Sequence, residues 1–216
     1  MKKITKNMIL LALLLSLSIN MQAQSLGKVN AQQQKTMIEK INRTAASIKT
    51  IQANFTQVKS MSFLKEKLTA TGRMYYDAQG KLRWEYLSPY QYTLVINNNK
   101  VYTKTGGKTT TIDINSSRLF QSIARIMVNS VTGKDLTSNA DFTVRMYTHG
   151  ADYVAYLTPK KAAMKKLYQS IRLYFDNSRN MVSLVEMIEK KGDKTTIDLR
   201  NVKINGAINE KVYSVN

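Results

Sequence analysis

The 216-residue chain has no cysteine and a single histidine, and these absences exclude more chemistry than any motif supplies. Without thiols no disulfide can hold the fold, and zinc or copper sites of the usual composition cannot be assembled. A lipid-modified cysteine is excluded as well. The lone histidine, His149, precedes Gly150 and reads as a surface turn residue. Acidic residues are also few, fourteen against 33 basic ones, and they are spread thinly, with no run resembling a calcium loop. Glu186 and Glu189 lie three apart on an expected strand, hence on opposite faces, and cannot form a general acid–base pair. There is no G-x-S-x-G element and no glycine-rich phosphate loop. Enzymatic activity, a metal and a cofactor are therefore not expected.

Long apolar runs are missing too, except at the start. Lys2, Lys3 and Lys6 precede an uncharged, leucine-dominated stretch from Met8 to Ile19, followed by Met21-Gln22-Ala23 with a small residue at its end. This is the pattern of a cleavable export signal over residues 1–23, and the apolar stretch is shorter than the roughly 20 residues a membrane-spanning helix needs. Residues 24–216 are then expected to form one domain outside the cytoplasm, stabilised by burial alone. Three of the basic residues and none of the acidic ones fall in the signal, so a formal net charge of +19 becomes +16. Such a balance favours acidic partners. Nucleic acid is a poor candidate, because lysine and arginine are scattered singly. The densest cluster, Lys160, Lys161, Lys165 and Lys166, holds no aromatic for base stacking. Anionic lipid headgroups or acidic proteins fit better.

What the sequence does have is alternation. Val29 to Ile48 repeats apolar residues at spacings of three and four and predicts an amphipathic helix. From Ile51 the period becomes two, and about eleven short strands follow, separated by Asp77-Ala78-Gln79-Gly80, Ser88-Pro89, Asn97-Asn98-Asn99 and Gly106-Gly107. Ser116 to Val131 has helical spacing again, and a short final strand is expected over Val212 to Val215. Short connections without a strand–helix–strand rhythm predict an antiparallel, mainly β (α+β) fold with helices on one face. Two helices of about 24–30 Å cannot obviously cover about eleven strands spaced roughly 4.8 Å apart. Either the sheet curls around a packed core or it keeps an apolar cavity. Eight methionines after the signal would suit both.

The order of motifs is similar to one family. Ile51-Gln52-Ala53-Asn54-Phe55-Thr56-Gln57, then Gly72, LRWEYLSP at 82–89, an asparagine-rich turn before VYTK, LTPK at 157–160, IRLYFD at 171–176 and TTIDLRNVKIN at 195–205 resemble LolA, the periplasmic carrier of outer-membrane lipoproteins. The resemblance covers residues 29 to 215. It implies an incomplete, unclosed antiparallel β-barrel whose concave apolar face is covered by amphipathic helices, with acyl chains bound between them. It implies a monomeric chaperone in the periplasm that takes acylated lipoproteins from an inner-membrane transporter to an outer-membrane acceptor. A LolA-like carrier of another lipid or lipid-linked compound, or a lipid-sensing module, are the alternatives. On the lipid side it implies Leu82, Trp84 and Tyr86, with Phe55, Met74, Leu94, Ile96 and Leu173 alternating compatibly, and Ile123 and Met127 on the second helix as part of a lid. Replacing Leu82 with Glu is expected to abolish loading and spare the fold. One position departs: the arginine that latches the lid in proteobacterial members falls on Ala78, leaving the latch absent or supplied by another residue such as Arg73.

Overall fold

Each half-buried strand here must bury one face, and consecutive strands joined by tight turns do so by pairing as hairpins. The computed structural model describes residues 25–116, 128–129, 132–133, 136 and 141–214. Its strands are β1 (Gly27–Lys28), β2 (Thr50–Ser60), β3 (Lys67–Asp77), β4 (Lys81–Ser88), β5 (Tyr92–Asn97), β6 (Lys100–Thr105), β7 (Lys108–Asp113), β8 (Phe142–His149), β9 (Asp152–Pro159), β10 (Tyr168–Asp176), β11 (Met181–Glu189) and β12 (Lys194–Ile204). They form one antiparallel sheet in the order β1-β8-β9-β10-β11-β12-β2-β3-β4-β5-β6-β7. The two edges, β1 and β7, do not pair, so the expected unclosed barrel is present with twelve strands. The tightest hairpins use residues that tolerate positive φ, Asn98-Asn99 (48° and 61°) and Gly106-Gly107 (52° and 81°).

Helix α1 (Ala31–Ser47) lies within the predicted span of Val29 to Ile48 and starts two residues into it, on a reciprocal cap. The Asn30 side chain accepts from the Gln33 amide at 2.8 Å, and the Asn30 amide donates to Gln33 Oε1 at 2.9 Å. Its apolar stripe buries Met37, Ile38, Ile41 and Ala45 on the inner face of the sheet, across β8 and β11. The Met146 amide donates to Gln34 Oε1 at 3.0 Å and fixes the helix to β8. Most of the predicted second helix, with Ile123 and Met127, lies outside the described residues. Within its span Val128 packs on the core, and Thr132, just past its end, donates to the Val128 carbonyl at 3.1 Å. The Gly133 amide donates to the Asn129 carbonyl, and a Cβ on Gly133 would meet Phe175 at 2.5 Å and Ile41 at 3.1 Å.

Three segments differ from the sequence reading, the first being the two-residue strand β1. Helix α2 (Ala162–Leu167) buries one residue, Met164, and so leaves no periodic signature. The expected strand over Val212 to Val215 is replaced by a 3₁₀ turn, Glu210–Tyr213, capped by Asn209. The carbonyls of Val212 and Ser214 accept from Arg83 at 3.2 and 3.1 Å, so a side chain takes the place of a strand partner. Tyr213 is buried there, with the Lys81 ammonium 5.7 Å from its ring centre.

Candidate functional site: the inner face of the sheet

Cross-strand partners share a face, so the register defines what the concave side presents. One row runs Ile51, Tyr76, Leu82, Ile96, Val101. The next runs Ala53, Met74, Trp84, Leu94, and a third Leu199, Phe55, Gly72, Tyr86, Tyr92. On the other limb Met146, Ala155, Leu173, Val185 and Ile197 stand in line. All eight described residues of the predicted set lie on this face, and the core gathers them. Phe55, Met74, Leu82, Trp84, Ile96 and Leu173 are buried, while Tyr86 and Leu94 are half-buried against them. Ile123 and Met127 lie outside the described residues. The alternation also predicts Ile51 and Tyr76, but Ile41 and Leu199, equally part of the core, carry only the ordinary signal of an amphipathic element.

An aromatic group marks the centre of the face. Phe55 stacks on Trp84 with ring centres 4.3 Å apart and planes at 23°, and meets Tyr86 edge-on at 5.2 Å. Tyr86 continues to Tyr90 at 5.4 Å and Tyr92 at 6.0 Å. Its hydroxyl donates to Gln57 Oε1 at 2.9 Å, and burial pushes its pKa up, so it stays neutral. The aromatic run therefore leads from fully buried Phe55 to exposed Tyr90 without crossing a charge.

One charged group, Arg73, Arg83 and Glu85, stands on the outer face. Arg73 Nε donates to Glu85 Oε2 at 2.6 Å, and Arg83 reaches the other carboxylate oxygen at 2.8 Å. Burial pushes the Glu85 carboxyl up, but hydrogen bonds from the two guanidiniums more than offset it and hold it below its usual range. Arg73 therefore points away from the helix-covered side and does not supply the latch that the departure at Ala78 left open. The Ala78 amide is spent on the Lys49 carbonyl. Glu186, nearly inaccessible, is held by Arg172 at 2.8 Å and by Lys194, while Arg172 lies 5.1 Å from the centre of the Tyr156 ring.

Clefts open around the sheet among the described residues. One of about 570 Å³ lies beside Gln52, Asn54, Arg73 and Lys203 on the outer face. Another, of about 530 Å³, opens between α1 and β8 over Ile38, Leu136, Phe142 and Val144, with Lys35 and Lys160 at its edge. A third, of about 300 Å³, lies on the outer face beside Arg83, Glu85, Thr93 and Lys104. Among the described residues, the side chains of these rows are buried against one another and against α1.

Comparison with known proteins agrees with this architecture. Residues 46–216 match the family model for the outer membrane lipoprotein carrier protein LolA. An outer-membrane lipoprotein carrier protein of Chromohalobacter salexigens is 25% identical over 86% of this chain and 85% of its own. One from Methylococcus capsulatus is 25% identical over 77% of each chain. Among solved structures, an uncharacterized conserved protein from Thermus thermophilus superposes with a TM-score of 0.51 at 12% identity, covering 84% of this chain and 93% of that one, which is a likeness of fold. With a matching model over most of its length and the open antiparallel sheet that goes with it, the chain belongs to the LolA family of outer membrane lipoprotein carrier proteins.

Proposed function

We propose that this protein is an exported carrier that takes up the acyl chains of lipoproteins on the inner face of its sheet and moves them between the two membranes of the cell envelope. It works by burial and not by catalysis. The observation that carries this reading is the continuous apolar face formed by three adjacent register rows, with Tyr86 and Leu94 half-buried at its accessible side. Membership of the family, with relatives that are outer-membrane lipoprotein carrier proteins, supports lipoproteins as the cargo.

The energetics favour such a mechanism. Each buried methylene gains about 0.8 kcal/mol, so an acyl chain of about fifteen methylenes gains about 12 kcal/mol on leaving water. Parting α1, which buries Met37, Ile38 and Ile41, costs about 5–9 kcal/mol at about 1.5–3 kcal/mol for each side chain, so one acyl chain offsets it and further chains exceed it. Loading therefore exchanges the contacts of the helices with the inner face for contacts with cargo. An inner-membrane transporter would load the carrier and an outer-membrane acceptor would empty it, with the carrier acting as a monomer. A carrier of another apolar compound would need the same face, and the lipid that co-purifies distinguishes the two. Native mass spectrometry of the protein isolated from its own envelope is expected to show bound acylated lipoprotein; a different lipid class in its place would reassign the cargo.

A further inference from the structure

Large apolar side chains left in water are unevenly placed on this molecule. Among the described residues Phe63 is 76% exposed, Leu68 55%, Leu64 45% and Leu167 38%, and all four lie at one end of the sheet. The register explains why they converge. Strand β2 ends at Ser60 opposite the start of β3 at Lys67, and Glu189 at the end of β11 pairs with Tyr168, the residue after Leu167. The segments are fastened together. The Ser62 amide and hydroxyl both donate to Asp193 Oδ1, at 3.0 and 3.1 Å, and the Lys190 amide donates to the Leu167 carbonyl at 2.9 Å. Leu87, near the end of β4, and Tyr90, in the β4–β5 connection, each 50% exposed, lie towards the same end, so of the large exposed apolar residues only Ile204 lies elsewhere among those described.

The same rim is strongly basic. Lys65, Lys67, Lys165, Lys166, Lys190 and Lys191 are all exposed on these segments. Glu189 and Asp193 are held by Lys59, at 3.0 and 3.9 Å, which leaves Glu66 as the exposed acid beside them. Exposed apolar groups rimmed by charge mark an interaction surface. Apolar tips on a hairpin loop and a short helix, ringed by lysines whose stems can lie along a hydrocarbon boundary, match the layered chemistry of a bilayer surface.

We propose that this rim, centred on Phe63 and Leu64 and flanked by the six lysines, docks the protein on an anionic phospholipid bilayer, the apolar tips entering the headgroup layer and the lysines meeting lipid phosphates. Binding needs no cargo and is separate from uptake on the inner face. It would hold the carrier at the membrane surface with one end of the sheet turned to the lipid.

The test is co-sedimentation of the cargo-free protein, residues 24–216, with vesicles of phosphatidylethanolamine and phosphatidylglycerol, and with neutral phosphatidylcholine vesicles. Binding to the anionic vesicles is expected to exceed that to neutral ones by about tenfold or more and to weaken as salt rises from about 0.1 to about 0.5 M. Phe63→Ser with Leu64→Ser, at exposed positions, should reduce it about tenfold with an unchanged melting curve, and Lys165→Glu with Lys166→Glu should remove the preference for anionic lipid. Phe63→Trp supplies a second readout, a blue shift of emission on adding anionic vesicles. Equal binding to both vesicle types, loss of neither preference nor affinity in these variants, or capture of an acidic protein without vesicle binding would overturn the proposal. Acyl-chain loading of the same samples, measured separately, reports on the carrier reading alone.

Discussion

Phe55 occupies the space that a side chain at position 72 would need: a Cβ on Gly72 would lie 2.3 Å from Phe55 Cζ and 2.1 Å from the backbone oxygen of Glu85. The two residues are cross-strand partners, and the absence of a side chain at 72 lets the Phe55 ring lie flat across β3 and stack on Trp84. Gly72→Ala should therefore destabilise the protein by about 2–3 kcal/mol, because the clash is partly with backbone and cannot be relieved by a side-chain rotation alone. Trp84 is the single tryptophan, so its emission reports the displaced ring directly. Urea denaturation followed at Trp84 checks both the loss of stability and the change in the folded baseline.

Leu94 offers a cleaner probe of the inner face than Leu82. Leu82 is fully buried, so a glutamate there would cost several kcal/mol of stability and confuse unfolding with loss of binding. Leu94 is half-buried on the same face, and its glutamate can reach water. Leu94→Glu is expected to keep the melting temperature within a few degrees of the parent and to lower acyl-chain binding by about tenfold or more, read by displacement of a fluorescent fatty acid. Normal binding in a folded Leu94→Glu protein would remove this part of the face from the site.

Arg73 and Glu85 predict two further results. Since Arg73 is bound on the outer face, Arg73→Ala should change cargo affinity and release less than about twofold, and cost at most about 1 kcal/mol, as expected for a partly exposed ion pair. A variant that releases cargo freely would restore Arg73 as a latch.

The folded-state pKa of Glu85 lies below its ordinary value of 4.5. The stability it contributes is thus fully present above that value and is lost as pH falls through the folded-state pKa. Glu85→Gln should lower stability at neutral pH by about 1–2 kcal/mol and flatten the acid limb below about pH 4.5. Denaturation midpoints measured from pH 3 to pH 7 would show whether the two curves converge at the acid end.

Much of this was legible in the sequence because the strands alternate cleanly. Leu82, Trp84 and Tyr86 or Ile51, Ala53 and Phe55 name one face by period alone, and the asparagine and glycine pairs name the turns. Other features had no local signal. Strand β1 has two residues, α2 buries one, and the terminal 3₁₀ turn is fixed by Arg83 more than a hundred residues away. The direction of Arg73 was readable from its place between Gly72 and Met74, since neighbours on a strand face opposite sides, but its partner Glu85 depends on register. Whether the inner face is hollow or packed is a matter of how far the sheet curls, which periodicity does not encode.

The central claim is that this inner face carries lipoprotein acyl chains, and the most direct measurement is native mass spectrometry of the parent protein and of Leu94→Glu, each isolated from the cell envelope. Acylated lipoprotein is expected on the parent and absent from the folded variant. Parent protein free of any acyl lipid, or the same lipid bound equally to both, would contradict it.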